Sequence, residues 1–337
     1  MPGCRRGLLL AALTAIAVVP PAWAAAPAGT DQAARPTPSA EGATNLDQAP
    51  SPDAVYELGR TLFDQYAPPE VKAQYEFPSK EQWDQFAARL QRALEGDSLQ
   101  ELAACEPEAR AALAAMQTLP GYEDYADWLE ERLDLAAAAG PAAREPPAAP
   151  PSAVPAPGRP SFHRMLPHYD LWLQRLRDRP PPAGAARLMP GLRAAFAAEG
   201  VPPDLAWMAE VESAFNPNAR SPAGARGLFQ LMPDTARAAG LSIRLPDERT
   251  DPIKSARAAA GLLRRLHVVF GGWPLALAAY NAGEGRVSRT LAARRATSFA
   301  EIAPALPAET RLYVPKVYAT IAVRTGAAPE GLVAQNH

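Results

Sequence analysis

The sequence predicts a mainly α fold, and three observations support that prediction. Apolar residues recur three and four positions apart, as they do on one face of a helix, and no alternating stretch is long enough for a strand. Alanine, which favours helices most, is abundant, and 38 prolines supply breaks and linkers. The 337 residues also allow one or two domains with a sizeable core.

The first 24 residues have the features of a secretory signal peptide. Arg5 and Arg6 precede the short apolar stretch "GLLLAALTAIAVV", and "AWA" follows as a small-x-small cleavage site. We therefore expect cleavage after Ala24 and export to the periplasm. Retention of this segment as a membrane anchor is the alternative.

Composition divides the rest of the chain into further segments. Residues 25–52 are rich in Ala, Pro, Ser and Thr without periodicity, which is typical of a disordered leader. Residues 53–139 predict a small helical region of unknown role. Residues 140–160, "GPAAREPPAAPPSAVPAPGRP", predict a semi-rigid linker. A helical domain over residues 161–325 and a tail over residues 326–337 complete the chain.

Apolar stripes locate the helices of the region over residues 53–139. The stretches "WDQFAARLQRAL" and "YADWLEERLDL" each place their large apolar residues on one stripe, with acidic residues facing water. A spacer, a partner-binding module and a regulatory domain are all open roles for this region.

Start and stop signals place the helices of the domain over residues 161–325. Asp251 and Pro252 form a strong helix start, and Gly200 and Gly271 are expected to end helices. A short amphipathic helix is also predicted within "MLPHYDLWLQRLRDRP". Further helices are predicted over residues 187–199, 203–215, 252–270, 274–281, 286–295 and 308–325.

Charge is distributed unevenly, although the formal net charge is only −2. Residues 1–186 hold 16 Lys and Arg against 24 Asp and Glu, a balance of −8, whereas residues 187–325 hold 18 against 11, a balance of +7. A basic exported domain suggests an anionic polymer as partner, and ordinary surface charge is the alternative. After signal cleavage only Cys105 remains, and we expect it to be a small buried apolar residue.

Several function classes are not expected. The four histidines lie in no metal-ligand spacing, and no Gly-rich phosphate loop with lysine occurs, so neither a metal nor a cofactor is predicted. Nucleic acid is also an unexpected partner for an exported chain without interleaved aromatic and basic residues.

The stretch "AEVESAFNP" places a carboxylate where an apolar side chain belongs. Glu212 shares one helical face with Leu205, Met208 and Ala209. Apolar surroundings disfavour the anion and raise its pKa, and a carboxylic acid that stays protonated near neutral pH suits general acid catalysis. A helix-end glutamate that reaches solvent or pairs with an arginine is the alternative.

Three later stretches favour the catalytic interpretation of Glu212 over the alternative. "SPAGARGLFQLMPDTARAAGL" has a Gly-rich turn and a Pro-started helix, "LAAYNAGEGRV" carries Tyr280 and Asn281, and "ETRLYVPKV" carries Glu309 and Tyr313. Together with "ES-F-P", these motifs resemble the catalytic domain of the lytic transglycosylases, the goose-lysozyme-like SLT family that cleaves peptidoglycan. They are most similar to the membrane-bound D type, and the resemblance covers about residues 185–325.

The resemblance implies a lysozyme-like helical fold and roles for individual residues. Glu212 matches the catalytic acid, Tyr280 matches the tyrosine that contacts it, and Glu309 is expected to anchor the last helix through a polar contact. The positions that match residues lining the glycan groove are Ser221, Phe229, Gln230, Met232, Tyr280, Asn281 and Tyr313. For Phe229, Met232 and Tyr313, a place in the core is an equal alternative.

The resemblance also implies a reaction that uses a single carboxylate. Glu212 would protonate the β-1,4 oxygen between N-acetylmuramic acid and N-acetylglucosamine, and would then take the proton of the C6 hydroxyl to leave a 1,6-anhydro end. An ordinary glycosidase needs two carboxylates, and no second one is evident near this motif. A hydrolytic muramidase and a non-enzymatic glycan-binding scaffold are the alternatives. Peptidoglycan glycan strands are the expected partner, whereas a protein complex in the cell envelope and the oligomeric state are open.

Overall fold

The computed structural model defines most of the chain from residue 80 onward. The described residues are 60, 64, 80–117, 123–145, 165–221 and 223–327. Within them the regular structure is helical, and the only β-bridges are isolated pairs in one loop, Arg220 with Arg226 and Arg226 with Leu231. The prediction of a mainly α fold is therefore confirmed. The predicted signal peptide and leader lie outside the described residues.

Four helices make up the described part of the N-terminal region. They are α1 (Lys80–Glu95), α2 (Leu99–Ala104), α3 (Glu106–Gln117) and α4 (Glu123–Arg144). Leu90 and Leu94 from the predicted stripe are buried together with Leu102 of α2. Cys105 is also buried, and burial raises the pKa of its thiol, as expected for an apolar rather than a reactive role.

The predicted start of the linker at residue 140 is wrong. Helix α4 continues through Gly140 and Pro141 to Arg144. Alanines on both sides of the proline favour the helix, and Ala138, Ala139 and the following turn pack in the core. The linker therefore begins at least five residues later than predicted, and residues 146–160 lie outside the described part of the chain.

The second group of helices follows from residue 169. They are α5 (Tyr169–Leu176), α6 (Ala185–Ala198), α7 (Met208–Ser213), α8 (Pro233–Ala238), α9 (Pro252–Phe270), α10 (Trp273–Ala282), α11 (Glu284–Arg294), α12 (Phe299–Ile302) and α13 (Ala308–Thr325). The local signals placed most of these correctly. The Asp251 side chain accepts hydrogen bonds from the backbone amides of Ile253 and Lys254, and Gly271 ends α9 with a φ of 73°.

The helix predicted over residues 203–215 is divided in two. A 3₁₀ segment spans Pro203–Trp207 and passes directly into α7. The chain then leaves the helix through Ala214 and Phe215, whose φ values are 48° and 62°. Successive left-handed residues other than glycine are uncommon, and here they fix where the helix ends.

Helix α13 is the central element of the packing. It is buried for most of its length and packs against α4, α5, α7 and α10. Helix α4 also packs on α7, so the N-terminal region contacts the same side of the molecule as the stretch around Glu212. Among the described residues, no helix combines the length and apolar character that a membrane span requires.

Candidate active site

Glu212 lies on the last turn of α7, a short helix whose residues are all buried. The hydroxyl of Ser213 donates a 3.0 Å hydrogen bond to the carbonyl of Leu228, which ties the helix end to the following loop. The left-handed turn after Ser213 then leads the chain away. The carboxyl group of Glu212 is therefore held on rigid backbone at the edge of a loop.

The environment of Glu212 favours the protonated acid. The residue is 7% exposed, and burial raises its pKa to about 7 because the anion loses its hydration. A hydrogen bond from Tyr313 and the charge of Arg132 act in the opposite direction, while Glu309 and Glu131 add to the increase. The expected rise in pKa is thus present, and a carboxyl group with this pKa can give and take a proton near neutral pH.

Glu210, on the same helix, has a different environment. It accepts hydrogen bonds from Nε (2.8 Å) and Nη2 (2.6 Å) of Arg324. The arginine pairing that the sequence allowed for Glu212 therefore belongs to Glu210, and the solvent-exposed alternative for Glu212 does not apply.

The tyrosine that holds Glu212 is Tyr313, so the expected hydrogen bond from Tyr280 is wrong. The Tyr313 hydroxyl donates to Oε1 of Glu212 at 2.6 Å. The Tyr280 hydroxyl donates instead to the backbone carbonyl of Phe229 at 2.7 Å. Burial raises the pKa of the Tyr280 phenol, and the charge of Glu212 adds to that rise.

Ser221 and Gln230 make hydrogen bonds within the loop that joins α7 to α8. The buried Ser221 Oγ accepts from the backbone amide of Ala225 at 3.0 Å. Nε2 of Gln230 donates to the carbonyls of Ala219 (3.3 Å) and Gly227 (3.0 Å). Both side chains therefore shape the loop, and their predicted contact with sugar stays a prediction.

A buried arginine holds this loop in place, and sequence reasoning missed it. Arg249 pairs with Asp247 at 2.8 Å, and its Nη1 donates to the carbonyls of Gly224 (2.8 Å) and Leu231 (3.1 Å). Gly227 has a φ of 80°, and a Cβ at this position would lie 1.9 Å from the Arg249 carbonyl oxygen. The close approach of the two backbones thus requires glycine at residue 227.

Phe229 and Met232 have opposite positions. Phe229 is fully buried, with its ring centroid 5.5 Å from that of Phe196 on α6, so the predicted place of its side chain in the groove is wrong. Its apolar ring gains more from the core than from the surface. Met232 is 43% exposed just before α8 and stays available for a ligand.

Asn281 and Glu309 form a polar connection between α10 and α13. Asn281 accepts a 2.6 Å hydrogen bond from the hydroxyl of Thr310 and donates to Glu309 at 3.4 Å. Nη2 of Arg132 on α4 also donates to Glu309, at 3.0 Å. Glu309 therefore makes the anchoring contact expected of it.

Comparison with known proteins identifies the domain that carries these residues. The family model described as "Transglycosylase SLT domain" matches residues 192–303. Residues 192–303 of this chain therefore resemble a transglycosylase SLT domain, and this matched region is called the SLT domain from here on. The match includes Glu212, the loop and Tyr280, whereas the fourth motif, on α13, lies beyond it.

Several curated relatives of the SLT domain are named lytic murein transglycosylases. Membrane-bound lytic murein transglycosylase D of Escherichia coli is 42% identical over 125 residues, which are 35% of this chain and 27% of that protein. The soluble lytic murein transglycosylase of Salmonella typhimurium is 39% identical over 122 residues, which are 33% of this chain and 19% of that protein. The chain thus spans about a quarter of the length of its D-type relative.

A solved structure is similar over a longer range at lower identity. An inactive mutant of the lytic transglycosylase Slt from Pseudomonas aeruginosa has a TM-score of 0.41 and 22% identity. The similarity covers 85% of this chain and 48% of the other.

The region before the SLT domain contributes to the site, and sequence reasoning missed this contribution. A cavity of about 10 Å³, room for about one water molecule, lies beside Glu212. Helix α4 supplies Glu131, Arg132 and Leu135 to its wall, opposite residues of the SLT domain. Lys316 of α13 also lines the cavity and is 3% exposed. A lysine inside the otherwise apolar stretch "YVPKVYATIAV" was the available signal for a buried acidic partner.

Two further carboxylates lie near Glu212, although none was evident near its motif in the sequence. Glu309 and Glu131 line the same cavity. Each is paired with a cation: Glu309 with Arg132 at 3.0 Å, and Glu131 with Lys316 at 2.6 Å. These carboxylates come from α13 and α4, far from the Glu212 motif in the sequence.

Proposed function

We propose that this protein is a peptidoglycan lytic transglycosylase with Glu212 as its general acid and base. The observation that carries the proposal is the buried carboxyl group of Glu212, which accepts a 2.6 Å hydrogen bond from Tyr313 and whose pKa burial raises to about 7. The SLT domain and the names of its relatives support the substrate class. Export to the periplasm, with cleavage after Ala24, is part of the proposal.

Glu212 performs two proton transfers in the proposed reaction. It first donates its proton to the β-1,4 oxygen between N-acetylmuramic acid and N-acetylglucosamine, and the bond from that oxygen to C1 breaks. The 2-acetamido group of the muramoyl sugar stabilises the positive charge at C1. The Glu212 carboxylate then accepts the proton of the C6 hydroxyl while that oxygen bonds to C1. The product is a 1,6-anhydro end, and no water is consumed.

The chain's other residues would orient this exchange. Tyr313 keeps one oxygen of Glu212 in a fixed position and stabilises the anion that forms after the first transfer. Met232, Asn281 and Tyr280 are the proposed sugar contacts, because Met232 is exposed and the other two are only partly buried.

A hydrolytic muramidase is the second candidate. Glu309 lines the same cavity as Glu212, and that cavity has room for about one water molecule. Glu309 would have to activate such a water while its carboxylate is already held by Arg132 at 3.0 Å and by Asn281 at 3.4 Å.

The masses of the products distinguish the two candidates. Purified protein is incubated with peptidoglycan sacculi, and the released muropeptides are compared with those from a muramidase. Products lighter by the mass of one water are expected, because the 1,6-anhydro end forms without the water that hydrolysis adds to the reducing end. Products with hydrated reducing ends would establish hydrolysis and overturn the transglycosylase proposal.

A further inference from the structure

Helix α4 lies directly over Glu212, although it is outside the SLT domain. It packs on both α7 and α13, and its residues Glu131, Arg132 and Leu135 form one wall of the cavity beside the carboxyl group. Glu212 is 7% exposed, and the cavity that the described residues form beside it has room for about one water molecule. A sugar ring is many times larger than this space. In this conformation a glycan strand therefore does not fit into the cavity beside the carboxyl group.

Charged contacts fasten α4 to α13. Nζ of Lys316 lies 2.6 Å from Glu131 and 2.9 Å from Asp134, and Arg132 contacts Glu309 at 3.0 Å. Although burial opposes it, the charges of Lys316 and of Arg179 on the α5 side hold the pKa of Asp134 well below its usual range. These contacts fix the position of α4 against the site.

The chemistry of this contact suits a helix that leaves and returns. Helix α4 also contributes apolar residues to the core, but the part that faces the site is mostly charged: it presents Glu131, Arg132 and Asp134, with Leu135 beside them, unlike the apolar centre of a permanent interface. A buried ion pair adds little net stability, because both ions lose their hydration. Both are hydrated again if the helix moves away. The charged contacts thus specify where α4 binds and themselves add little to the cost of its release.

We propose that α4 is an autoinhibitory lid, closed over Glu212 in this structure and displaced when a glycan strand enters. The lid extends the proposed function and rests on it. It also gives the helical region before the SLT domain a regulatory role, one of the three that its sequence left open.

The first test weakens the ion pair between α4 and α13 in the full-length protein, with one variant on each helix. Glu131→Gln and Lys316→Gln each remove the Glu131–Lys316 pair, and Glu108→Gln on α3 is a matched control that breaks an exposed pair with Arg89. The initial rate of muropeptide release from sacculi is measured for each, with thermal melting to verify folding. Both site variants are expected to be about tenfold faster, which corresponds to about 1.4 kcal/mol lost from the closed state, and the control should match the unchanged protein.

The pH profile separates lid opening from a change in the acid. Glu131 adds to the pKa of Glu212, so its replacement also shifts that pKa downward. A larger open population raises the rate by the same factor at every pH. A changed pKa of Glu212 instead shifts the rate profile along the pH axis. If α4 is a fixed wall of the glycan site, folded Lys316→Gln will instead be slower with a higher KM, and that result overturns the lid.

A second measurement follows the helix itself. Hydrogen exchange of the amides in residues 129–144 is recorded in full-length Glu212→Gln protein with and without bound sacculus glycan. Faster exchange on binding supports displacement of α4, and unchanged or slower exchange overturns it while leaving the function intact. If no variant, including the loosened ones, releases 1,6-anhydro products, the proposed function fails and the lid fails with it.

Discussion

Oη of Tyr313 donates a 2.6 Å hydrogen bond to Oε1 of Glu212, across 101 residues of sequence. The two side chains come from α7 and α13, which pack against each other. This contact fixes the orientation of a carboxyl group whose protonated form is favoured by burial. The proposed chemistry therefore depends on the packing of a helix outside the matched part of the SLT domain.

Replacement of Glu212 by glutamine is expected to remove nearly all turnover. Positioned proton transfer contributes about 10²–10⁴-fold to rate, and an amide neither donates nor accepts the required proton. Muropeptide release from sacculi measures the effect, with melting as the measure of folding. Glu199→Gln is a suitable control, because that carboxylate pairs with Arg264 at 3.1 Å away from the cavity. Near-normal turnover in Glu212→Gln would remove this residue from the mechanism.

Tyr313→Phe is expected to lower turnover near neutral pH by about tenfold, since a hydrogen bond to a charged group contributes about 1.5–3 kcal/mol. It should also shift the high-pH limb of the rate profile to higher pH. The lost hydrogen bond stabilised the Glu212 anion, so its loss raises the pKa of Glu212. Tyr280→Phe is the matched control. In this structure it removes a bond to the Phe229 carbonyl, and a lost sugar contact would lower the rate without moving the pKa of Glu212, so the limb should stay in place. The reverse pattern would restore Tyr280 as the partner of Glu212.

The stability of the protein should carry the signature of the buried carboxyl group. The folded-state pKa of Glu212, about 7, lies above its ordinary value of 4.5, so the folded protein binds this proton more tightly than the unfolded chain. The resulting stabilisation is full below pH 4.5 and is lost as pH rises to about 7. At about 1.36 kcal/mol per unit, Glu212→Gln should gain roughly 2–3 kcal/mol relative to the unchanged protein across this range. If the difference in unfolding free energy between Glu212→Gln and the unchanged protein is the same at pH 4.5 and at pH 7, that result contradicts the burial of an ionisable Glu212.

Gly227→Ala should disrupt the loop beside the site. Its Cβ would lie 1.9 Å from a backbone oxygen of Arg249, whereas Gly240 has the same φ of 80° and open space around it. Gly240→Ala is therefore expected to cost only the left-handed strain, about 1–2 kcal/mol, and Gly227→Ala a further 1–3 kcal/mol or more. Denaturant unfolding measures both. Equal losses would show that the close approach at residue 227 has no energetic weight.

Local features of the chain were readable from sequence. The Asp251 cap, Gly271 and the 3.6-residue stripes placed α9 and its neighbours within a few residues, because caps and periodicity act over one or two turns. The inward position of Glu212 followed from the same periodicity. The extension of α4 through Pro141 was missed because proline is read as a stop signal, and packing of the surrounding alanines offsets its cost.

Contacts between distant segments were not readable in the same way. The motifs pointed to Tyr280 as the tyrosine that contacts Glu212. Packing instead brings Tyr313 to Glu212, while Tyr280 binds a loop carbonyl. The burial of Phe229 likewise depends on Phe196 of another helix. Arg132 reaches the cavity beside Glu212 only because α4 packs on both α7 and α13, and no local sequence pattern predicts that packing.

The central position of α13 has a consequence for biosynthesis. Chains are made from the N-terminus, and domains fold as units once their residues have emerged. Tyr313, which holds Glu212, and Lys316, which holds α4, are three residues apart on this one helix. A growing chain that has not yet delivered α13 therefore has neither an oriented carboxyl group nor its cover. The reactive geometry and its restraint arise in the same step, so no stage of synthesis exposes one without the other.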